Sequence, residues 1–296
     1  MKFSLSLDTS QINQFAKCPY AWYLKYVRNL EPCEKRMVMA VGSFMHRMLE
    51  DYYMKVWEND SKAMVYTLGK IKEYREIALS DGLDKDYITL AIERYMAYLI
   101  YYESFDSRIK ICDTYDNEKK RPAVEVGFSL PLVDNELFYF VLEGRIDLIC
   151  YLNNTLFWMD HKTQTRRELL SNKSPQCRTY SLALNCNGIY NYIGMTQEVN
   201  KETFKRAMVT QSAREKQVWK QYLIKCFYKV AYAKMTGTFE QNFHACSGAF
   251  DRKMYECEFN RLCENDAAIR DNLISIYYKE RKKWEPWALE GEENGI

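Results

Sequence analysis

No stretch of the 296 residues approaches the ~18 consecutive apolar positions that a membrane-crossing helix requires. The opening MKFSLSLDTSQ carries one lysine but neither a continuous apolar stretch nor a small-residue cleavage site, so it does not read as a secretory leader. The expectation is a soluble, cytoplasmic protein without membrane partners. Charge of one sign is also scarce. Forty-two Lys and Arg against 40 Asp and Glu leave a net charge of +2, which neither argues for nor excludes a nucleic-acid partner. Histidine is rare, with three in the chain, and there is no internal repeat or low-complexity linker.

Apolar residues, in contrast, make up 47% of the chain and aromatics 15%, so a sizeable core forms and global disorder is excluded. Ten cysteines are present. In a reducing compartment, cysteines that are not simply core residues serve as metal ligands or catalytic groups more than as disulfides. The distribution of charge is more telling than its sum. Between Lys201 and Met235 lie nine Lys and Arg against two Glu, interleaved with Phe204, Trp219, Tyr222, Phe227, Tyr228 and Tyr232. Basic groups hold phosphates and aromatic faces stack bases, so this mixture suits a nucleic-acid wall. It equally suits a solvated amphipathic helix whose aromatics face the core.

Three regions follow one another. Residues 1–115 read as mainly helical, with a helix from Ser10 to Tyr26 interrupted at Pro19 and a second from Gly42 to Trp57. Further helices are expected around 61–80 and 86–104. Residues 116–235 form an α/β core. Ala123–Leu130, Leu137–Leu152 and Thr155–Lys162 are rich in β-branched and aromatic residues and read as antiparallel strands. Ser174-Pro175 opens a helix, since serine caps and proline suits the first turn. Strands at Gly188–Met195 and Thr203–Gln211 precede a helix over about 213–235. Residues 236–296 hold a cysteine cluster and a last helix through Trp284. A single domain is the simplest organisation.

Two strands carry the chemistry. If Asn153-Asn154 form a two-residue turn, Leu152 pairs with Thr155 and Asp147 falls opposite Asp160. Opposed side chains share a face with Cβ atoms ~5 Å apart, and Lys162 projects from that face too. Two carboxylates so placed repel by roughly 3 kcal/mol at an effective dielectric of ~20, more than the ~0.2–1 kcal/mol of a good cross-strand pair. Either Mg²⁺ or Mn²⁺ neutralises them, or Arg145 and Lys162 do so in an ion network, or one carboxylate is protonated.

At this point the residues resemble the RecB-like PD-(D/E)XK nucleases, including CRISPR adaptation nucleases and phage exonucleases. Gly42-Ser-Phe-Met-His46 is similar to the G-x-x-H motif with one more intervening residue, Gly144-Arg-Ile-Asp147 to G-x-x-D, Asp160-His161-Lys162 to (D/E)-x-K and Gln176-Cys-Arg-Thr-Tyr180 to Q-x-x-x-Y, in the family's order. The resemblance implies a restriction-endonuclease-like core, a central mixed β-sheet flanked by helices, with an N-terminal helical insertion and a cysteine-bearing tail. It implies that His46, Asp147, Asp160 and the His161 carbonyl bind Mg²⁺ or Mn²⁺, and that Lys162 is catalytic. Gln176 and Tyr180, one helical turn apart, would position DNA or the lysine. The implied activity is exonucleolytic hydrolysis of DNA ends or single strands, alone or with recombination, replication or CRISPR-adaptation partners, in a cell or on behalf of a phage within one. A non-cleaving nucleic-acid-binding or assembly subunit is the alternative.

Cys18 near the N-terminus, with Cys246, Cys257 and Cys263 near the C-terminus, resembles the iron–sulfur arrangement of that family, one early cysteine and three late ones ending C-x5-C. A 4Fe-4S cluster is implied, with zinc the competing metal and Cys33 an alternative to Cys18. The ten residues between Cys246 and Cys257 depart from the C-x2-C of CRISPR-associated members and are closer to phage-type relatives.

Overall fold

A computed structural model describes residues 2–33, 37–58, 62–116, 118–164, 173–200, 202–246, 257–282 and 285–286. In chain order, β1 (Phe3–Leu7) leads into α1 (Thr9–Lys17) and α2 (Pro19–Trp22). Asp8 rather than Ser10 caps α1, its carboxylate accepting the Gln11 N–H at 2.8 Å. Pro19 starts a new helix, because a first-turn position needs no N–H donor. A π-helical turn (Tyr23–Val27), β2 (Leu30–Pro32), α3 (Met37–Trp57), α4 (Ala63–Gly69), α5 (Ile71–Ser80) and α6 (Lys85–Asp106) complete the helical region. Then come β3 (Ile109–Ile111), β4 (Asp113–Asp116), β5 (Lys119–Pro122), β6 (Val124–Asp134), β7 (Phe138–Leu152) and β8 (Thr155–Gln164). Helix α7 (Pro175–Ala183), β9 (Asn187–Gly194), β10 (Phe204–Val209) and α8 (Ala213–Thr236) follow. The short α9 (Phe243–Cys246) and α10 (Asn260–Cys263), α11 (Ala267–Tyr277) and β11 (Tyr278–Glu280) end the described chain.

The chain divides into two compact units. The larger comprises Arg36–Phe128, Arg145–Lys216 and Pro286–Ile296, the smaller Met1–Lys35, Ser129–Gly144 and Gln217–Glu285.

The larger unit is built on a mixed sheet. Leu152 pairs with Thr155 and the antiparallel register runs to Leu148 opposite Met159. Asn153 and Asn154 carry φ of 50° and 61°, the left-handed pair that a two-residue hairpin turn needs and asparagine tolerates. Strand β9 lies parallel to β8, β10 antiparallel to β9, and β3 antiparallel to the end of β7. On one face, Met45, Met48, Tyr95 and Leu99 of α3 and α6 pack with Leu148, Phe157, Met159 and Ile193 of the strands. On the other, Cys177 and Tyr180 of α7 join Ile146, Trp158, Tyr190 and Val209. Helices thus flank a mixed sheet, the expected α/β architecture.

Close packing fixes Gly188. A Cβ added there would lie 1.9 to 2.3 Å from three atoms of the Trp158 ring. That ring is fully buried, with its Nε1 donating to Ser181 Oγ at 3.1 Å. Gly188→Ala is therefore expected to destabilise the chain by about 1–3 kcal/mol, read from urea unfolding; an unchanged midpoint would contradict this packing.

In the smaller unit, β1 runs parallel to the start of β7, from Phe3 opposite Phe138 to Leu7 opposite Leu142. A separate core gathers Cys18, Ala21, Leu24, Ala245, Phe259, Leu262 and Tyr278. The last helix stops at Tyr277, short of the expected end at Trp284, a residue that lies outside those described. Tertiary contacts override helical continuation. Tyr278 pairs with Pro32, stacks on Phe259 at 5.6 Å and donates its hydroxyl to Glu258 O at 2.8 Å. Along α8, Trp219, Leu223, Phe227 and Val230 are buried, whereas Tyr222, Tyr228 and Tyr232 are exposed, so the helix is amphipathic with part of its aromatic set facing the core.

Candidate active site

The β7–β8 register carries Asp147 to the level of Asp160, one step beyond the last backbone pair. There a side chain replaces the ladder: Asp147 Oδ2 accepts the His161 N–H at 2.6 Å. Asp147 is 7% exposed and Asp160 is fully buried. Lys162, two residues along β8 from Asp160 and therefore on its side of the strand, brings Nζ to 2.7 Å from Asp160 Oδ2. Apart from that ion pair, neither Asp160 oxygen finds a hydrogen bond among the described residues. Buried carboxylate oxygens without donors are rare, and a cation beside them is the ordinary remedy.

Helix α3 delivers His46. Its Nδ1 lies 3.5 Å from Glu125 Oε1 and 3.6 Å from Asp147 Oδ2, and its Nε2 lies 3.1 Å from the His161 carbonyl. One ligand atom each from His46, Glu125 and Asp147 falls within 4.8 Å of the others. This nitrogen-and-carboxylate set, with a backbone carbonyl alongside, fits a hard divalent cation. Asp160 stands outside the trio, ion-paired to Lys162.

Glu125 is a site residue that the sequence patterns do not single out. It sits on β6 with a φ of 49°, in the left-handed region, a backbone departure of the kind that accompanies functional sites. The available signal was weak: one acid among the apolar residues that open the strand, Val124-Glu-Val-Gly-Phe128.

Electrostatics follow from crowding. Burial disfavours the His46 imidazolium, but Asp147 and Glu125 together outweigh it and raise the pKa to about 10. Burial also raises Asp147, against the attraction of His46. Asp160 is pushed up to about 6 by burial, with Lys162 opposing the rise and Asp147 adding to it. Burial works against the Lys162 ammonium, yet Asp160 and Asp147 hold its pKa above the usual lysine value. Burial drives His161 the other way, well below the usual histidine range.

Helix α7 begins as expected, Ser174 Oγ accepting the Cys177 N–H at 3.2 Å. Gln176 Nε2 donates to the Tyr180 hydroxyl at 2.7 Å, and that hydroxyl donates to the Arg145 carbonyl at 2.7 Å. The pair thus braces the strand two residues before Asp147. Arg145 itself donates through Nε to Pro286 O at 3.3 Å.

The cysteine set gathers in the smaller unit. Cys18 Sγ accepts the Asn242 N–H at 3.5 Å, Cys246 Sγ donates to Asn242 O at 3.7 Å, and the Cys257 N–H donates to Cys246 O at 3.4 Å. After burial, the neighbouring thiols Cys246, Cys257 and Cys18 are what raise the pKa of Cys263, to about 12. Cys33 is exposed.

Helices cover both faces of a mixed sheet, and buried acids and a lysine meet at one of its hairpins. The model of the PD-(D/E)XK nuclease superfamily matches residues 6–264, and the chain belongs to that superfamily. Over 193 residues it is 26% identical to one subunit of the ATP-dependent helicase/deoxyribonuclease of Clostridium perfringens strain SM101, and 25% identical to the same subunit from strain 13. The match covers 56% of this chain and 16% of those relatives, so the chain spans a small part of their length. A crystal structure named "Putative exonuclease", from Eubacterium rectale, covers 88% of this chain and 93% of its own at 12% identity, with a TM-score of 0.48.

Proposed function

We propose that the chain is a Mg²⁺- or Mn²⁺-dependent deoxyribonuclease, an exonuclease acting on DNA ends or single strands. The observation that carries this is the convergence of His46, Glu125 and Asp147 beside the buried Asp160–Lys162 pair. His46, Glu125, Asp147, Asp160 and the His161 carbonyl would hold the cation. When bound, it would lower the pKa of water so that a hydroxide nucleophile is available near neutral pH, and would polarise the phosphoryl group. The chain's own residues do the rest. Lys162, held as an ammonium by Asp160, donates hydrogen bonds; it orients the attacking water and stabilises charge developing on the phosphate. Gln176 and Tyr180 brace the strand that bears Asp147. The exposed Tyr222, Tyr228 and Tyr232, interleaved with Lys225 and Lys229 on α8, suit contact with a DNA strand. Superfamily membership and the deoxyribonuclease subunits among the relatives support DNA as substrate and a larger assembly as the setting. Among the described residues, no helix is long and apolar enough to cross a membrane.

The test is incubation of labelled single- and double-stranded DNA with Mg²⁺, Mn²⁺ or EDTA. Shortening of the label with either metal and none with EDTA is expected. DNA that is retarded but uncut under every metal condition would make the chain a binding or assembly subunit instead.

A cation must displace the His46 proton, since Asp147 and Glu125 raise the pKa of that imidazole to about 10. Metal affinity is therefore expected to rise with pH, by about tenfold per unit for one displaced proton, from neutrality to about 10. The dependence steepens below about 6, where Asp160 also takes up a proton. Mn²⁺ titrations across pH measure this, and a profile flat from neutrality upwards would contradict the raised pKa of His46.

Cys18, Cys246, Cys257 and Cys263 would hold an iron–sulfur cluster, 4Fe-4S in type. Anaerobically purified protein is expected to be brown and to contain iron and acid-labile sulfide, both lost in Cys263→Ala. Stoichiometric zinc without iron would replace the cluster with a zinc staple.

A further inference from the structure

Behind the candidate cation site, in the larger unit, lies a hydrogen-bonded chain of buried polar groups that hydrolysis does not itself require. The His161 peptide is held on both sides by the site: its N–H donates to Asp147 Oδ2 at 2.6 Å, and its carbonyl lies 3.1 Å from His46 Nε2. The His161 ring turns away from Asp160, is 2% exposed and stacks on Tyr53 at 5.4 Å with 8° between planes. Its Nδ1 lies 2.6 Å from the side-chain nitrogen of the fully buried Asn191.

The orientation of that amide is forced. Arg206 Nε lies 3.1 Å from Asn191 Oδ1, and a guanidinium only donates, so the amide oxygen must face Arg206. The amide nitrogen then donates both to His161 Nδ1 and to the Tyr98 hydroxyl, at 2.8 Å. Arg206 is anchored in turn by Asp106 Oδ1 at 2.6 Å and lies 3.7 Å over the Tyr102 ring. Each link fixes the next, from Asp106 at the end of α6 to the peptide between Asp160 and Lys162.

Resting on the nuclease reading above, we propose that Asn191 and Arg206 are positioning residues that act through the His161 ring. They hold the His161 peptide in the orientation that presents its carbonyl to the divalent cation and fixes the Asp147 carboxylate. Outer partners of this kind tune metal affinity without touching the metal.

The experiment measures Mn²⁺ affinity of the full chain without DNA, by paramagnetic resonance of free Mn²⁺, alongside thermal unfolding. Asn191→Leu is expected to weaken Mn²⁺ binding by about 10–100-fold. Arg206→Lys keeps a cation against Asp106 but shortens the reach to Asn191, and it is expected to give a smaller loss in a folded protein. Leu99→Ala, a truncation of a buried α6 residue outside the chain of hydrogen bonds, supplies the structural control: a lower melting temperature with wild-type Mn²⁺ affinity. Wild-type affinity in both Asn191→Leu and Arg206→Lys, or an equal loss in Leu99→Ala, would overturn the proposal alone. A wild-type chain that takes up no Mn²⁺ would overturn the nuclease reading and this inference with it.

Discussion

Lys162→Met is expected to reduce the rate of DNA cleavage by at least about 10²–10³-fold while leaving the protein folded and able to take up Mn²⁺. The methionine keeps most of the stem's volume on β8 but removes the ammonium that stands 2.7 Å from Asp160 Oδ2. No described cation other than Lys162 is ion-paired to Asp160, so the lost charge is not replaced. The deficit should appear in single-turnover cleavage of labelled DNA at saturating Mn²⁺, where substrate and metal affinity no longer contribute. Lys162→Arg should not restore the full rate, because a larger planar guanidinium cannot occupy the same point between carboxylate and phosphate. Turnover by Lys162→Met at the wild-type rate would remove the lysine from the chemistry.

The second large effect concerns stability. Asp106→Ala is expected to cost about 3–5 kcal/mol, because it strands a buried guanidinium without its counter-charge. Asp106 is 2% exposed, and it accepts hydrogen bonds from Arg206 at 2.6 Å and from the Tyr53 hydroxyl at 3.3 Å. The double variant Asp106→Leu with Arg206→Met should recover much of that loss, since replacing both charges by apolar groups leaves no buried ion behind. Urea unfolding of the two proteins separates the cases. A double variant no more stable than the single one would show that the hydrogen bonds Arg206 makes to Asn191, Tyr53 and Tyr98, rather than the penalty of an unpaired charge, sustain this part of the core.

The hairpin was legible because its information is local. Asn153-Asn154 sets the turn, the turn sets the register, and the register puts Asp147 and Asp160 side by side without reference to the rest of the chain. The four separated signatures were legible for the same reason, each lying within one element. Glu125 was not, because its place beside His46 and Asp147 depends on a left-handed backbone at one residue of β6 and on α3 arriving from far away in sequence. The role of His161 was only half visible. The family resemblance suggested its carbonyl, but the side chain's path through Asn191 and Arg206 joins three strands and is a property of the folded sheet. The short strands Phe3–Leu7 and Tyr278–Glu280 escaped notice because strands of five and three residues are specified by their partners more than by their own pattern.

The most direct measurement is anomalous scattering from crystals of the full chain grown with Mn²⁺. A manganese peak bounded by His46, Glu125, Asp147, Asp160 and the His161 carbonyl is the expected result. Manganese bound elsewhere on the molecule, with no density among those five, would contradict the assignment of this hairpin as the cation site.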